Sequence, residues 1–205
     1  MIFIYGDSHA ESNFKNLRIA NTNCYEYSIT MHRIGRDRAI INFSNSHLSS
    51  DNIYVLQYGE VDCRCHIGRQ IALGREVNDI CVELVSTYFE SIAQHITVCK
   101  KIIVCAVVPP TRRNDYESVH GPIRHAFPFI GTDAERVEYT TLVNNLIKEY
   151  CDKYGYVFFD PYDYYKRSDG TLKYELSDGN VHIANTSNII SRFELLVDFI
   201  QHGID

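Results

Sequence analysis

The sequence predicts an α/β fold, a three-layer α/β/α sandwich with a mainly parallel sheet of five strands. Short apolar runs alternate along the chain with segments whose apolar residues recur at helical spacing, the order typical of β-α-β units. Polar motifs follow directly after these runs, as expected where the carboxyl ends of parallel strands form a site. With 205 residues, 45% of them hydrophobic, we expect residues 1–205 to form a single domain.

The five predicted strands are residues 2–5, 25–31, 53–58, 102–108 and 156–159. The first is apolar and ends on Gly6, which is typical of a buried parallel strand. The second alternates apolar and polar residues, which favours a strand nearer the edge of the sheet. The fourth is closed by Pro109 and Pro110, because proline cannot continue a central strand.

Three helices are predicted from apolar residues at helical spacing. The first covers residues 77–92 and the last covers residues 189–200. The middle helix begins with a capping box, Thr132 followed by Glu135, and ends near Gly155. These helices lie between or after the predicted strands, as a covered parallel sheet requires.

The candidate functional residues follow the predicted strands. Because the carboxyl ends of parallel strands meet at one edge of a sheet, we expect these segments to lie close together. They are Gly6-Asp7-Ser8-His9, Gly35, Gly59-Glu60-Val61-Asp62, the segment 109–131 and residues 178–182.

Ser8 is the candidate nucleophile. A serine hydroxyl attacks a carbonyl when a neighbouring base takes its proton, and a third group usually orients that base. His182 is the candidate base and Asp178 the candidate orienting group. The developing oxyanion needs fixed N–H donors, for which the backbones of Ser8 and Gly35 are candidates. Gly-Asp-Ser alone is also an ordinary turn or cap sequence, so the hypothesis rests on the order of the motifs along the chain.

These segments resemble, in order and spacing, the four signature blocks of the SGNH (GDSL-like) hydrolases, and the resemblance covers residues 3–182. It implies that Ser8 is the nucleophile, that Gly35 donates to the oxyanion and that Asp178 and His182 complete a triad. It also implies a flavodoxin-like sheet and an ester-cleaving or acyl-transferring enzyme, with no metal or other cofactor.

The chain departs from this family at two positions. The third block normally reads Gly-x-Asn-Asp, with the asparagine donating to the oxyanion, but Val61 occupies that position and has no side-chain donor. Arg64, or a backbone N–H near Glu60, is the candidate replacement. Asp178 lies four residues before His182 instead of the usual three. Either the loop carries one extra residue, or His182 works with Ser8 as a dyad.

Two further groups are candidate substrate-binding residues. Glu60, Asp62, Arg64 and His66 are either substrate contacts or a helix start with internal ion pairs, and the sequence leaves both readings open. The segment 109–131 is too long for an ordinary connection, and we expect a lid or substrate loop there. Its Arg112 and Arg113 suit an anionic or sugar-bearing substrate.

Charge and composition bear on partners and compartment. A formal charge of −6 without blocks of like charge disfavours nucleic acid as a partner. No apolar stretch has the length of a membrane span, and the N-terminus lacks the features of a signal peptide. Seven cysteines in such a chain suggest reduced thiols, so we expect a cytoplasmic protein. Its oligomeric state cannot be derived from the sequence.

The favoured function is a serine esterase acting on an acyl ester, with acetyl on a carbohydrate as the expected substrate. A sugar O-acyltransferase would use the same acyl-enzyme and differ only in the acceptor. A metallophosphoesterase is a second alternative, because Asp7-Ser8-His9 is also an Asp-x-His sequence, although the other metal-ligand runs of such enzymes are missing. A non-catalytic glycan-binding domain is the third alternative, motivated by Val61.

Overall fold

The computed structural model describes residues 1–38, 49–97, 101–123 and 127–202 of the chain. Five parallel strands form one sheet in the order β2-β1-β3-β4-β5. The predicted α/β class with its parallel five-stranded sheet is therefore confirmed. The strands are β1 Ile2–Gly6, β2 Asn21–Tyr25, β3 Ile53–Gln57, β4 Ile102–Cys105 and β5 Val157–Phe159.

Helices cover both faces of this sheet. The first face packs against α1 and α7, and the second packs against α2, α4 and α6. A π-helical turn at Asp62–His66 leads into α3. The helices are α1 Ser8–Phe14, α2 Met31–Asp37, α3 Ile67–Ala72, α4 Val77–His95, α5 Arg113–His120, α6 Asp133–Tyr154 and α7 Ser187–His202.

The central strands β1, β3 and β4 are buried on both sides because each side contributes to a separate hydrophobic core. In β1, Ile2 and Ile4 join the core under α1 and α7, whereas Phe3 and Tyr5 join the core under α4 and α6. All five residues of β1 are buried. A side-chain period of two in a strand covered on both faces explains this near-continuous apolar run.

The capping box predicted at the start of α6 is confirmed. Glu135 N donates to Thr132 Oγ1 over 3.2 Å, and Thr132 N donates to Glu135 Oε2 over 2.7 Å. At the other end of α6, Gly155 has a φ of +70°, a left-handed conformation that suits glycine. Both boundaries of this helix were thus readable from local sequence.

The second predicted strand is wrong in position. The strand is Asn21–Tyr25, and residues 26–30 connect it to α2. The alternation that suggested a strand at 25–31 has another cause: Met31 is buried as the first residue of α2, and Thr30 is the N-cap that accepts from Arg33 N over 3.1 Å. Cap chemistry, invisible in the apolar pattern, decided the boundary.

The fourth strand is shorter than predicted. It ends at Cys105, although residues 106–108 remain buried. Beyond the strand, Val107 N donates to Asn144 Oδ1 over 2.7 Å, and Asn144 Nδ2 donates to Val107 O over 3.2 Å. A side chain of α6 therefore replaces a neighbouring strand as the backbone partner.

The predicted lid segment contains a helix. Within 109–131, of which residues 124–126 lie outside the described part of the chain, α5 covers Arg113–His120. Arg167 Nη1 donates to Asp115 Oδ2 over 2.6 Å and thereby ties α5 to the loop after β5. Whether this segment acts as a lid stays a prediction.

In the described part of the chain, none of the helices is both long and apolar enough to cross a membrane.

Candidate active site

Ser8 lies at the turn between β1 and α1, where the chain must be compact. A Cβ on Gly6 would come within 2.2 Å of Ala10 Cβ, so only glycine fits there. Asp7 is the N-cap of α1, and its Oδ1 accepts from His9 N over 2.9 Å. Ser8 is consequently the first residue of α1, at the carboxyl edge of the sheet.

Three predicted site residues lie in one hydrogen-bonded line. His182 Nε2 lies 2.9 Å from Ser8 Oγ, and His182 Nδ1 lies 3.0 Å from Asp178 Oδ2. The fold thus joins residues 174 positions apart in the sequence. Side-chain exposures of 21% for His182 and 38% for Asp178 leave this line accessible from solvent.

The extra residue between Asp178 and His182 is accommodated within the loop. Gly179 has a φ of +81°, and Asp178 N donates to His182 O over 3.0 Å, which closes the turn. Asp178 Oδ1 accepts from the backbone N–H groups of Asn180 and His182 over 2.9 and 3.3 Å. The spacing of four residues between Asp178 and His182 had two interpretations, an extra residue in the loop or a Ser8-His182 dyad. The geometry favours the extra residue in the loop.

The surroundings of His182 favour its neutral form. Burial lowers the pKa of His182, and the neighbouring His9 lowers it further, against the opposing effect of Asp178. A neutral imidazole whose Nδ1–H is held by Asp178 presents a free lone pair on Nε2 to the Ser8 hydroxyl. This is the protonation state that a general base requires.

Solved structures with the same architecture include several esterases and lipases. A GDSL-like lipase from Bacteroides thetaiotaomicron is 11% identical with a TM-score of 0.60, covering 99% of this chain and 88% of that chain. An acetylxylan esterase from Geobacillus stearothermophilus, solved as a catalytic mutant, is 11% identical with a TM-score of 0.59 and coverages of 100% and 94%. This chain has the SGNH hydrolase fold.

The same fold also occurs in the C-terminal domain of the Drosophila Oskar protein, which is 12% identical with a TM-score of 0.57, covering 95% of this chain and 87% of that domain. No protein-family model and no curated protein matches the sequence. At such low identities the SGNH fold is shared, and an activity has to be argued from the site itself.

The backbone N–H of Gly35 is not free to donate to an oxyanion. Gly35 is the fifth residue of α2 and is buried, so its N–H belongs to the hydrogen-bond ladder of the helix. A Cβ at this position would come within 2.3 Å of Thr87 Oγ1 on α4. Gly35 thus permits close packing of α2 on α4, which corrects the role predicted from the SGNH resemblance.

Asp62 caps α2 instead of contacting substrate. Its Oδ2 accepts from Met31 N over 2.7 Å and its Oδ1 from His32 N over 3.1 Å, and its exposure is 0%. Burial raises the pKa of Asp62 to about 7, although the two N–H groups act in the opposite direction. The neighbouring Val61 is buried and supplies no side-chain donor.

Glu60 and Arg64 form a buried ion pair. Arg64 Nε lies 3.1 Å from Glu60 Oε1, with side-chain exposures of 8% and 7%. The Arg64 guanidinium also lies 5.8 Å from the ring centroid of Phe129. The ion pair favours the interpretation of this cluster as a helix start with internal ion pairs. Glu60 Oε2 and Arg64 Nε have no hydrogen-bond partner among the described residues, so the substrate contacts of Glu60 and Arg64 and the oxyanion role of Arg64 stay predictions.

The remaining predicted substrate-binding residues also have protein partners. His66 stacks on His32 with ring centroids 4.0 Å apart, and burial lowers the pKa of His66 to about 4. Arg112 Nε donates to Asp169 Oδ2 over 3.0 Å, and Arg113 Nε donates to Glu117 Oε1 over 2.8 Å. Arg112 thus ties the 109–131 segment to the loop after β5 and Arg113 pairs within α5, so a substrate anion would have to compete with carboxylates.

His9 is a site residue that the sequence reasoning did not assign to the esterase site. Its ring centroid lies 4.7 Å from that of His182, and its exposure is 3%. The only signal was the Asp7-Ser8-His9 sequence, which suggested a metal ligand. Asp7 is used as the cap of α1, and among the described residues no three His, Cys, Asp or Glu side chains are grouped as metal ligands would be.

Proposed function

We propose that this protein is a serine hydrolase of the SGNH type that cleaves acyl esters through an acyl-enzyme intermediate. The observation that carries the proposal is the line from Ser8 Oγ to His182 Nε2 and from His182 Nδ1 to Asp178, with distances of 2.9 and 3.0 Å. Nucleophile, base and orienting group are all within hydrogen-bond reach, the arrangement that activates a serine hydroxyl.

In the proposed reaction, Ser8 Oγ attacks the ester carbonyl while His182 Nε2 takes the hydroxyl proton. The imidazolium that forms is stabilised by the Asp178 carboxylate. Collapse of the tetrahedral intermediate breaks the bond to the alcohol, which leaves with the proton of His182. Water then attacks the acyl-enzyme with His182 again as base, and the carboxylic acid is released with Ser8 restored.

The proposed site is least complete in hydrogen-bond donors for the oxyanion. Ser8 N–H, at the first position of α1, is the donor that the fold supports, because the first N–H groups of a helix have no partner within the helix. The Gly35 N–H belongs to α2, and Arg64 is paired with Glu60. We expect a correspondingly modest rate, since each missing donor costs about 10²-fold in kcat.

An acetyl ester of a carbohydrate is the proposed substrate class. The site is open to solvent, as the exposure of 38% for the Asp178 side chain indicates, which suits a small acyl group on a larger alcohol. One solved structure with this fold is an acetylxylan esterase. Release of acetate from acetylated xylo-oligosaccharides, compared with release from p-nitrophenyl acetate, tests this part of the proposal.

Labelling with a fluorophosphonate tests the nucleophile. We expect the native protein to form one adduct and the Ser8→Ala variant to form none, with hydrolysis of p-nitrophenyl acetate reduced by at least about 10³-fold. Ser86→Ala is the matched control, because Ser86 lies on α4 and its hydroxyl donates to Glu83 O in the same helix. An adduct that persists in Ser8→Ala, or no adduct in the native protein, would contradict the proposal and favour a non-catalytic role.

A further inference from the structure

A chain of alternating charges is buried directly beside the proposed catalytic base. His9 Nδ1 lies 3.3 Å from Asp7 Oδ1, and His9 Nε2 lies 3.5 Å from Glu60 Oε2. Glu60 in turn pairs with Arg64. The exposures of Asp7, His9, Glu60 and Arg64 are 3%, 3%, 6% and 7%. Water therefore screens these charges little.

The two carboxylates specify the protonation state of His9. A neutral imidazole has one N–H, so one of its two carboxylate neighbours would face a lone pair. Neither contact is a hydrogen bond, so the attraction is electrostatic, and only the imidazolium places a positive charge between Asp7 and Glu60. Burial acts to lower the pKa of His9, but the carboxylates of Glu60 and Asp7 raise it by more, so the net shift is upward despite an opposing effect of Arg64.

His9 is close enough to His182 to influence its charge. The two rings are tilted by 51° with their centroids 4.7 Å apart. The other polar groups that face His182 are Ser8 and Asp178, and Glu60 acts on it from a longer distance. A positive charge on His9 opposes a second positive charge on His182, whereas Asp178 and Glu60 favour it.

We propose that His9, held as an imidazolium by Asp7 and Glu60, is a positioning residue that acts through His182 and keeps this base unprotonated at lower pH than Asp178 alone would allow. The proposal rests on the proposed serine hydrolase function. It predicts that the site stays active under mildly acidic conditions. Removing His9 takes away the positive charge, and it leaves Asp7 without its ion-pair partner and Glu60 with Arg64 alone. Both changes favour protonation of His182.

The charge states are measured by NMR titration of the histidine ring nitrogens, which does not depend on activity. In the native protein we expect His9 to stay protonated at pH 7 while His182 is neutral. In His9→Gln we expect the midpoint of His182 to rise by about 1 pH unit. His202→Gln, the same change at the exposed end of α7, should leave that midpoint unchanged.

The native titration keeps the proposal testable if His9→Gln does not fold. A neutral His9 at pH 7 in the native protein would overturn it, as would an unchanged His182 midpoint in a folded variant. Circular dichroism identifies a variant that has not folded, and His9→Asn is then the second isostere to be titrated.

The kinetic consequence is a shift of the acidic limb of the pH profile. For p-nitrophenyl acetate we expect kcat/KM of His9→Gln to fall about tenfold at pH 5.5 and to approach the native value at pH 8. An equal loss at every pH would indicate a purely structural role and overturn the proposal. If the rings titrate as expected but neither protein hydrolyses esters or labels at Ser8, the proposed function fails while the charge coupling stands.

Discussion

The final loop presents its polar side chains differently from the loop after β3, although both lie at the same edge of the sheet. His182 and Asp178 keep side-chain exposures of 21% and 38%, whereas Asp62 has an exposure of 0% and caps α2. The first region holds groups that can exchange protons with a substrate. The second holds groups that are buried and contact only other parts of the protein among the described residues. A strand-end carboxylate is therefore a functional candidate when it stays accessible from solvent and holds a reactive side chain, as Asp178 holds His182.

Among the changes that test the difference between these two loops, Asp178→Asn is expected to have the largest effect, a loss of activity. Asp178 Oδ1 already accepts from two backbone N–H groups, so the single oxygen of an asparagine would stay with them and its NH₂ would face His182 Nδ1. His182 would then carry its proton on Nε2 and could not accept the proton of Ser8.

We expect kcat/KM of Asp178→Asn for p-nitrophenyl acetate to fall on the order of 10²-fold, less than for a buried aspartate because Asp178 is partly exposed. Asp163→Asn, a change at a carboxylate with a side-chain exposure of 85%, serves as the control. Unchanged kinetics in Asp178→Asn would show that Ser8 and His182 act as a dyad. Asp178 in the final loop would then be no more important for catalysis than the buried Asp62 after β3.

A smaller effect, on stability alone, is expected for Gly35→Ala. The added Cβ would come within 2.3 Å of Thr87 Oγ1, and overpacking of this kind costs about 1–3 kcal/mol of unfolding free energy. Urea denaturation should show this loss, and the double variant Gly35→Ala, Thr87→Ala should recover part of it. A tenfold loss of kcat/KM with unchanged stability would instead indicate that Gly35 takes part in the reaction, as the SGNH resemblance implies.

An effect confined to the pH dependence of stability is expected for Asp62→Asn. The folded pKa of Asp62 is about 7, above the value of about 3.9 in an unfolded chain. Between these values the folded state holds a proton that the unfolded state has lost, so this group makes the native protein less stable as pH rises from about 4 to 7.

Asparagine cannot ionise, so Asp62→Asn should remove this dependence. We expect the stability of the native protein, measured by urea denaturation, to fall relative to the variant as pH rises from 4 to 7. A constant difference between the two proteins across that interval would mean that Asp62 is ionised throughout, like a carboxylate in the solvent-exposed region.

Local patterns predicted those parts of the fold that depend on neighbouring residues. The capping box of α6 was readable because Thr132 and Glu135 are three residues apart and bond each other. The apolar runs of β1 and β3 were readable because strands covered on both faces have no polar side. The position of β2 was missed because Thr30 caps α2 through a contact that the apolar alternation does not record.

The candidate site was only partly predictable because its contacts join distant parts of the chain. Ser8 and His182 were named from the order of motifs along the chain, but their 2.9 Å contact joins positions 174 residues apart. The role of Gly35 depends on Thr87 of another helix, and the charge of His9 depends on Glu60 after another strand. Neither pairing has a local signal, because each arises only when separate elements pack together.

Periodicity and cap chemistry act over a few neighbouring positions, so the layered α/β architecture and the strand ends that carry polar residues could be predicted from the amino-acid order. Which of those residues are accessible for chemistry depends on how the elements pack together. Similar carboxylates and histidines became helix caps, members of ion pairs or parts of the accessible Ser8-His182-Asp178 triad, according to their burial and to the partners that other elements bring. The reason is that desolvation and hydrogen bonding depend on distances in space and not on spacing along the chain.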